Sequence, residues 1–448
     1  MTPVPDARRG ARRALLAIGF GHALEWYDWG IYAIFVPFFA ARFFDPGDQV
    51  SAVLSSLAVF AVGFVARPLG GLVVGRLADR VGRRPMMALT VGGMAAASLL
   101  IGISPTYATI GVGASVVLVV ARVVQGLATG GELPSAQTYL AEAAPPQRRG
   151  LWSSVIYIAS VGGNTIGVLL GLVLSLTLTT EQMAGFGWRI PFVVGGVLGL
   201  VALWIRRSLE ESEVFTREAA VGPGARPPRI WPEIVRHRRE AAQVVGLSIG
   251  FTVVYYSWVI AAPAYAISEL GIDSSAALLA GVLASLVLIA VQPAWGALSD
   301  RIGRRPVLLI SSVGTAALLF PLQAMVRDAV QLGVAMAIAM VFIGAGVAIL
   351  PAAYAEMFPT RIRAVGLAVP YSIAVAAFGG TAPYLQTWVG TTLGRPAFTA
   401  YVVALLVVTA ATVLTLREGR ATDLAGPRPA GSAPGREGGE REPARPAA

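Results

Sequence analysis

The stretch GRLADRVGRRP, residues 75–85, occurs again as GALSDRIGRRP, residues 296–306, at an offset of 221 residues. A second pattern, E-x-x-P-x-x-x-R, is repeated in the same way: residues 142–149 correspond to residues 356–363, at an offset of 214. The two offsets differ only by a small gap. Two motifs repeated in the same order indicate that the chain consists of two related halves.

The composition is that of a membrane protein. The chain has 448 residues, of which 55% are hydrophobic and 13% charged, and its mean hydropathy is +0.68. A soluble domain carries about 25% charged residues. A membrane-spanning helix needs about 20 apolar residues. Twelve stretches meet this requirement, at 14–41, 51–75, 86–104, 107–140, 150–178, 188–206, 241–268, 275–298, 306–326, 331–355, 364–389 and 396–416.

The positions of the basic residues predict the orientation of the spans. All 35 basic residues are arginine. With both termini in the cytoplasm, 29 of them fall on cytoplasmic segments, four on outer segments and two within spans. Cytoplasmic loops of membrane proteins carry such an excess of positive charge. The net charge of +10 is therefore explained by topology, and we expect no nucleic-acid partner.

The repeats place the boundary between the halves. Each copy of the first motif follows the second span of a half, and each copy of the second motif follows the fourth span, so we predict an all-α membrane protein with two six-helix halves. Parallel halves of this kind are a transporter architecture with a central site. The predicted divisions are a cytoplasmic arm 1–13, an N-terminal half 14–206, a cytoplasmic loop 207–240, a C-terminal half 241–417 and a disordered cytoplasmic tail 418–448.

Metal and nucleophile chemistry have little support. The chain has no cysteine and two histidines, and no nucleophile–base constellation is evident. We expect no metal, no cofactor and no enzymatic activity. The expected partners are a small-molecule substrate, protons and the lipid bilayer of a bacterial inner membrane, with the protein acting as a monomer.

The stretch EWYDWGIY, residues 25–32, places two acidic residues inside the first span. An ionised carboxylate within a bilayer costs several kcal/mol unless it is paired, solvated or protonated. Glu25 and Asp28 are three residues apart and share a helix face, so they cannot both ionise cheaply. This pattern indicates a group that binds and releases a proton during transport. We predict that Asp28, Glu25 or Glu132 performs this coupling, and His22 is a further candidate.

Polar stripes at helical spacing also lie on the fourth, fifth and seventh spans. Lipid cannot satisfy such groups, so they must face the interior of the bundle. Arg122 is a permanent cation that can bind a carboxylate through two hydrogen bonds. The alternative is a structural ion pair between Arg122 and the acids of the first span. The predicted substrate-binding residues are Arg122, Arg67, Tyr32, Gln125, Tyr157, Asn164 and Tyr255.

The repeated G-x-x-x-D-R-x-G-R-R motif resembles the loop between helices 2 and 3 of the major facilitator superfamily. EWYDWGIY, GFVARPLGG (63–71), RVVQGLATGGE (122–132) and GWRIPF (187–192) resemble segments of its metabolite:proton symporters. The resemblance covers roughly residues 15–417 and implies the major facilitator fold. Members of that family carry carboxylates such as α-ketoglutarate, citrate and shikimate, or zwitterions such as proline and betaine, so the substrate stays open.

The resemblance also implies a role for the charged residues of the repeated loops. They would form ion pairs that close the cytoplasmic side while the central site faces outward. The alternative is ordinary solvation of the loops together with anchoring by positive charge. The presence of both acidic and basic members in each copy favours a gate. The residues expected in this gate are Asp79, Arg83, Arg84, Glu142, Arg149, Asp300, Arg304, Arg305, Glu356 and Arg363.

Together these patterns predict proton-coupled symport of a small carboxylate-bearing metabolite by alternating access. The coupling ion could also be sodium. An exporter of lipophilic compounds would have no need of Arg122, and an uncoupled facilitator would have no need of a titrating acid. A sensor that transports nothing is disfavoured, because 207–240 and 418–448 are too short and polar for a folded module.

Overall fold

The computed structural model describes residues 7–45, 47–81, 83–130, 132–208, 230–359, 362–421 and 424. Within these ranges the regular structure is helical and no strand occurs. Each of the twelve predicted spans falls on a helix, which confirms the prediction of an all-α protein. The ends of the predicted cytoplasmic arm and tail, residues 1–6 and 425–448, and most of the loop 207–240 lie outside the described residues.

The N-terminal half contains six long helices. A short helix, Tyr107–Ile110, precedes the fourth, and a π-helical turn, Met183–Gly187, precedes the sixth. The long helices are α1 (Ala7–Phe43), α2 (Gln49–Val81), α3 (Arg83–Ile103), α4 (Val112–Thr129 and Glu132–Ala143), α5 (Arg149–Thr177) and α6 (Arg189–Ser208).

The C-terminal half repeats this arrangement after a short helix, Ile230–Arg236. Two of its helices contain a π-helical turn, a feature that is frequent at functional sites. The helices are α7 (Arg238–Val254, π turn Tyr255–Ile260, Ala262–Leu270), α8 (Ser274–Ile302), α9 (Arg304–Met325), α10 (Ala329–Met357), α11 (Arg363–Ala374, π turn Val375–Gly379, Ala382–Thr392) and α12 (Arg395–Thr415).

Local sequence signals begin and end several of these helices. The side chains of Asp273 and Asp328 accept hydrogen bonds from backbone N–H groups in the first turns of α8 and α10, at 3.0 and 2.8 Å. Such caps satisfy donors that have no partner within the helix. Gly271 ends α7 in the left-handed conformation, with φ of 65°. Single residues therefore fix where these helices begin and end.

Among the described residues, nine helices are long and apolar enough to cross a membrane. The apolar part of α3, Ala88–Ile103, is shorter than this criterion requires. Helix α1 carries the buried acids Glu25 and Asp28, and α11 is divided by its π turn. These three helices complete the twelve of the predicted fold.

The two halves meet most closely where α5 passes α8. A Cβ atom on Gly150 would lie 2.6 Å from the carbonyl oxygen of Gly296, and one on Gly296 would lie 2.7 Å from that of Gly150. Both distances are too short for a real Cβ contact, so only glycine permits this approach. The crossing brings the first turn of α5 beside the last turn of α8, which positions charged residues of both halves against each other.

Candidate functional site

Two arginine side chains lie against one aromatic ring within the N-terminal half. The guanidinium carbon of Arg67 is 4.0 Å from the ring centroid of Trp29, and that of Arg122 is 4.3 Å from the same centroid. Trp29 is buried and packs on Phe64, with ring centroids 4.5 Å apart. Attraction to aromatic faces stabilises each cation, but two like charges this close repel each other. An anion close to both cations would offset this repulsion.

Arg122 is fully buried. Its Nη1 donates to the side-chain oxygen of Gln125 at 2.7 Å, and its guanidinium lies 4.1 Å from the ring centroid of Tyr32. Its Nε and Nη2 atoms have no hydrogen-bond partner among the described residues. A buried N–H group without an acceptor costs free energy, and the cost is larger for a charged group. Arg122 therefore keeps two buried donors without an acceptor among the described residues.

Asp28 does not form an ion pair with Arg122, because Gln125 lies between them. Gln125 Nε2 donates to Asp28 Oδ2 at 2.5 Å, and the Ser98 hydroxyl donates to Asp28 Oδ1. Gln125 Nε2 also reaches the Ser98 oxygen at 2.9 Å. The structural ion pair considered from the sequence is thus absent, and the uncharged side chain of Gln125 joins the two groups through hydrogen bonds. Ser98 was missed because a serine in α3 carries no sequence signal of its partner.

Glu25 belongs with Arg67 rather than with Arg122. Its Oε1 lies 3.5 Å from Arg67 Nη2, and its Oε2 lies 3.6 Å from His22 Nδ1. The two acids of α1 therefore face different arginines, one directly and one through an amide. The side chain of Glu132, the third coupling candidate, lies outside the described residues.

Aromatic side chains from both halves meet beside this charged group. The ring centroids of Trp26 and Tyr255 are 5.5 Å apart, those of Trp26 and Tyr256 are 6.1 Å apart, and those of Tyr157 and Tyr255 are 6.0 Å apart. Trp26 comes from α1, Tyr157 from α5 and the other two from the π turn of α7. These four aromatic side chains pack together across the boundary between the halves.

Other predicted binding residues lie around the same centre. The Tyr32 hydroxyl donates to the backbone oxygen of Ser56 at 2.9 Å, so its ring, rather than its hydroxyl, faces Arg122. Asn164 is buried against Gly30, where an added Cβ would lie 2.2 Å from its amide oxygen. Neither polar atom of Asn164, nor the Tyr255 hydroxyl, has a hydrogen-bond partner within the described part of the chain.

A second group of charged residues joins the two halves where α5 passes α8. Arg149 Nη1 donates to Glu356 Oε1 at 3.0 Å, and Arg363 Nη1 donates to Glu142 Oε1 at 2.5 Å. Each arginine of the repeated E-x-x-P-x-x-x-R motif thus binds the glutamate of the other copy. Each also donates through Nε to the carbonyl oxygen eight residues before it, at 3.0 and 2.8 Å. We call these four residues, with Asp300 and Arg304, the inter-half cluster.

Asp300 and Arg304 complete the inter-half cluster. Asp300 accepts from the backbone N–H groups of Gly150 and Leu151 at 2.8 and 2.9 Å, at the N-terminal end of α5, where a negative charge is favourable. Arg304 binds Asp300 at 2.8 Å and Glu356 at 3.1 Å. Arg305 instead donates to the Leu414 carbonyl at 3.0 Å, away from the boundary.

Three more residues expected in the gate cannot be placed. The side chains of Asp79, Arg83 and Arg84 lie outside the described residues. Among the described residues, no group of His, Cys, Asp and Glu side chains could hold a metal ion.

Comparisons with known proteins fit this geometry. The family model of the Major Facilitator Superfamily matches residues 18–289 and 247–446. The alpha-ketoglutarate permease of Escherichia coli (strain K12) is 34% identical over 399 residues, covering 88% of this chain and 91% of the permease. A putative proline/betaine transporter of Staphylococcus aureus (strain COL) is 35% identical over 418 residues, covering 92% of this chain and 88% of the transporter.

Solved structures of the xylose transporter XylE from Escherichia coli share the fold. A partially occluded inward-open conformation has a TM-score of 0.68 at 18% identity and covers 91% of this chain and 98% of that chain. The proton:xylose symporter XylE bound to 6-bromo-6-deoxy-D-glucose gives 0.70 at 16%, covering 92% and 97%. At such identity the likeness concerns the fold alone. From the family match and the two long relatives, the chain belongs to the Major Facilitator Superfamily, as a multi-pass membrane transporter of a small metabolite and not an enzyme.

Proposed function

We propose that this transporter takes up a small carboxylate-bearing metabolite together with protons, by alternating access across the bacterial inner membrane. Both termini and the loop 207–240 are cytoplasmic in this proposal, and the working unit is a monomer. The named substrates of the relatives support the substrate class, since α-ketoglutarate, proline and betaine all carry a carboxylate.

The observation that carries the proposal is an excess of buried donors without hydrogen-bond partners around Trp29. Arg122 and Arg67 each have two such nitrogen atoms among the described residues, although Arg67 Nη2 also lies 3.5 Å from Glu25 Oε1. The indole N–H groups of Trp26 and Trp29 likewise lack an acceptor among these residues. A substrate carboxylate would satisfy guanidinium donors in bidentate fashion, and would offset the repulsion between the cations.

Proton coupling rests on the surroundings of Asp28. It is buried, and its hydrogen bonds come from the neutral groups of Ser98 and Gln125. Burial makes the charged form of this carboxylate costly, whereas the hydrogen bonds from Ser98 and Gln125 favour that form. A change in either contribution during the transport cycle would therefore move Asp28 between its charged and protonated forms. Gln125 contacts both Asp28 and Arg122. A substrate that binds Arg122 would therefore also change the surroundings of Asp28, the proposed proton-binding group. Substrate and proton would thereby be linked through one amide.

Alternating access in this proposal depends on the inter-half cluster as a cytoplasmic gate. Its pairs between Arg149 and Glu356 and between Arg363 and Glu142 cross the boundary between the halves. They must break when the halves part on that side, so they favour the state in which it is closed. The duplicated sequence explains why the pairs are reciprocal.

The test is uptake by purified protein in proteoliposomes with an acidic exterior. Labelled α-ketoglutarate, proline and betaine serve as probes, and Arg122→Gln is compared with Arg327→Gln, a change of an exposed arginine on an expected outer segment. We expect accumulation of at least one probe by the parent and by Arg327→Gln, and none by Arg122→Gln. Normal accumulation by Arg122→Gln would refute carboxylate recognition by this residue. Accumulation driven by a sodium gradient alone would refute proton coupling.

A further inference from the structure

The segment directly after α12 is fastened to the start of α9. Both oxygens of the Glu418 carboxylate accept backbone hydrogen bonds there, from the N–H of Arg304 at 2.8 Å and from the N–H of Arg305 at 3.2 Å. The Arg420 N–H donates to the same carboxylate at 3.1 Å, which folds the segment back on itself. Glu418 therefore caps a helix that begins more than a hundred residues earlier in the chain.

This cap matches the needs of α9. The first N–H groups of a helix have no acceptor within it, and a negative charge near them is favourable. Gly303, which precedes α9, has no side chain to provide a cap and adopts a φ of 104°. A Cβ atom at Gly303 would lie 2.5 Å from Glu418 Oε2, so the glycine of the repeated motif leaves room for this carboxylate.

The capped residue is a central member of the inter-half cluster. The guanidinium of Arg304 donates to Asp300 at 2.8 Å and to Glu356 at 3.1 Å, while its backbone is held by Glu418. The following residue, Gly419, lies directly on Glu356, since a Cβ there would be 2.4 Å from Glu356 Oε2. The segment thus holds the backbone of Arg304 through Glu418 and covers Glu356, the ion-pair partner of Arg304, through Gly419.

We infer that Glu418 is a positioning residue of the cytoplasmic gate: by capping α9 it holds Arg304, whose guanidinium orients Asp300 and Glu356 toward Gly150 and Arg149 of the other half. The inference rests on the proposed role of the inter-half cluster as a gate. The inference extends the gate to a segment outside the repeated motifs. The residues directly after α12 would then influence how readily the cytoplasmic side opens.

The test uses a single reporter cysteine. The chain has no cysteine, and Ser153 is buried one turn inside Arg149 on α5, so Ser153→Cys reacts with a maleimide only when the gate opens. Labelling rates are measured in inside-out membrane vesicles for this reporter alone and with Glu418→Ala, Glu418→Asp or Glu418→Gln. Glu240→Ala is the matched control, since this acid also lies on the expected cytoplasmic side and is paired with His237 at 3.9 Å.

Loss of a helix cap changes an equilibrium by at most about thirtyfold. Because this cap lies within the C-terminal half, only the part of the effect that displaces Asp300 and Glu356 from Gly150 and Arg149 changes the opening equilibrium. We expect Glu418→Ala to raise the labelling rate severalfold within this limit, Glu418→Asp to restore most of the parent rate, and Glu240→Ala to leave it unchanged. If Glu418 only stabilises the fold, Glu418→Ala will lower the melting temperature, and Glu418→Asp will not return the labelling rate to that of the parent protein. Should the Ala variant fail to reach the membrane, Glu418→Gln, which keeps the shape and removes the charge, gives the same comparison.

Glu356→Gln separates this inference from the proposed gate. If Glu356→Gln speeds labelling while Glu418→Ala and Glu418→Gln do not, the positioning role of Glu418 is refuted and the gate stands. If none of the three variants speeds labelling, the inter-half cluster is not a gate, and the inference falls with it.

Discussion

Unequal burial within the inter-half cluster predicts unequal effects of neutralising its two glutamates. The Glu356 side chain is 3% exposed and accepts from Arg149 at 3.0 Å, whereas the Glu142 side chain is 39% exposed and accepts from the buried Arg363 at 2.5 Å. A hydrogen bond between charged groups contributes about 1.5–3 kcal/mol when buried. An exposed pair contributes about 0.2–1 kcal/mol. Only pairs that cross the boundary count, because they alone differ between the closed and open states.

These values give an expected order of gate opening. Glu356→Gln should raise the opening equilibrium about tenfold to 150-fold, and Glu142→Gln about 1.4- to fivefold. The Ser153→Cys reporter measures both as labelling rates in inside-out vesicles, with Glu240→Gln as the control. The bond between Arg304 and Glu356 lies within the C-terminal half and should survive in both states. The reasoning is refuted if Glu142→Gln opens the gate as much as Glu356→Gln, or if neither variant differs from the control.

Three further predictions concern the N-terminal half. Arg122→Lys should restore only part of the uptake lost in Arg122→Gln, since an ammonium cannot bind a carboxylate side-on as guanidinium does; full uptake rates in proteoliposomes would contradict this. Trp29→Leu should raise the substrate concentration for half-maximal uptake at normal membrane abundance, because both arginines lose their shared ring; unchanged uptake would contradict it. Gly163→Val should lower the melting temperature, as its Cβ would lie 1.9 Å from the Ala23 carbonyl; an unchanged melting temperature would contradict it.

The sequence predicts the architecture well because the signals are long and repeated. Twelve apolar stretches, the distribution of arginine and the duplicated motifs each depend on many residues, and the helices of the structure coincide with the spans to within several positions. The reciprocal pairing of Glu142 with Arg363 and of Glu356 with Arg149 follows from the duplication, although only the structure reveals that each arginine binds the other half.

The details of the site depend on distances that no pattern encodes. Helical spacing places Asp28 and Arg122 on interior faces, but it cannot show that Gln125 separates them or that Ser98 of α3 reaches Asp28. Nor does spacing assign Glu25 to Arg67. Glu418 lies in a polar segment that resembles a disordered tail, and its contact with α9 spans 114 residues of sequence. Such partners are set by tertiary packing alone.

The central claim is that a buried carboxylate of α1 binds the proton that drives carboxylate uptake. The most direct measurement compares Asp28→Asn with the parent protein in proteoliposomes, with Glu25→Gln beside it, because Glu25 is the other buried acid of α1. Each protein is assayed for counterflow of labelled against unlabelled substrate and for accumulation under an acidic exterior. We expect the parent protein to do both, and Asp28→Asn to keep counterflow without accumulating substrate. Accumulation driven by the pH gradient in both amide variants would contradict it.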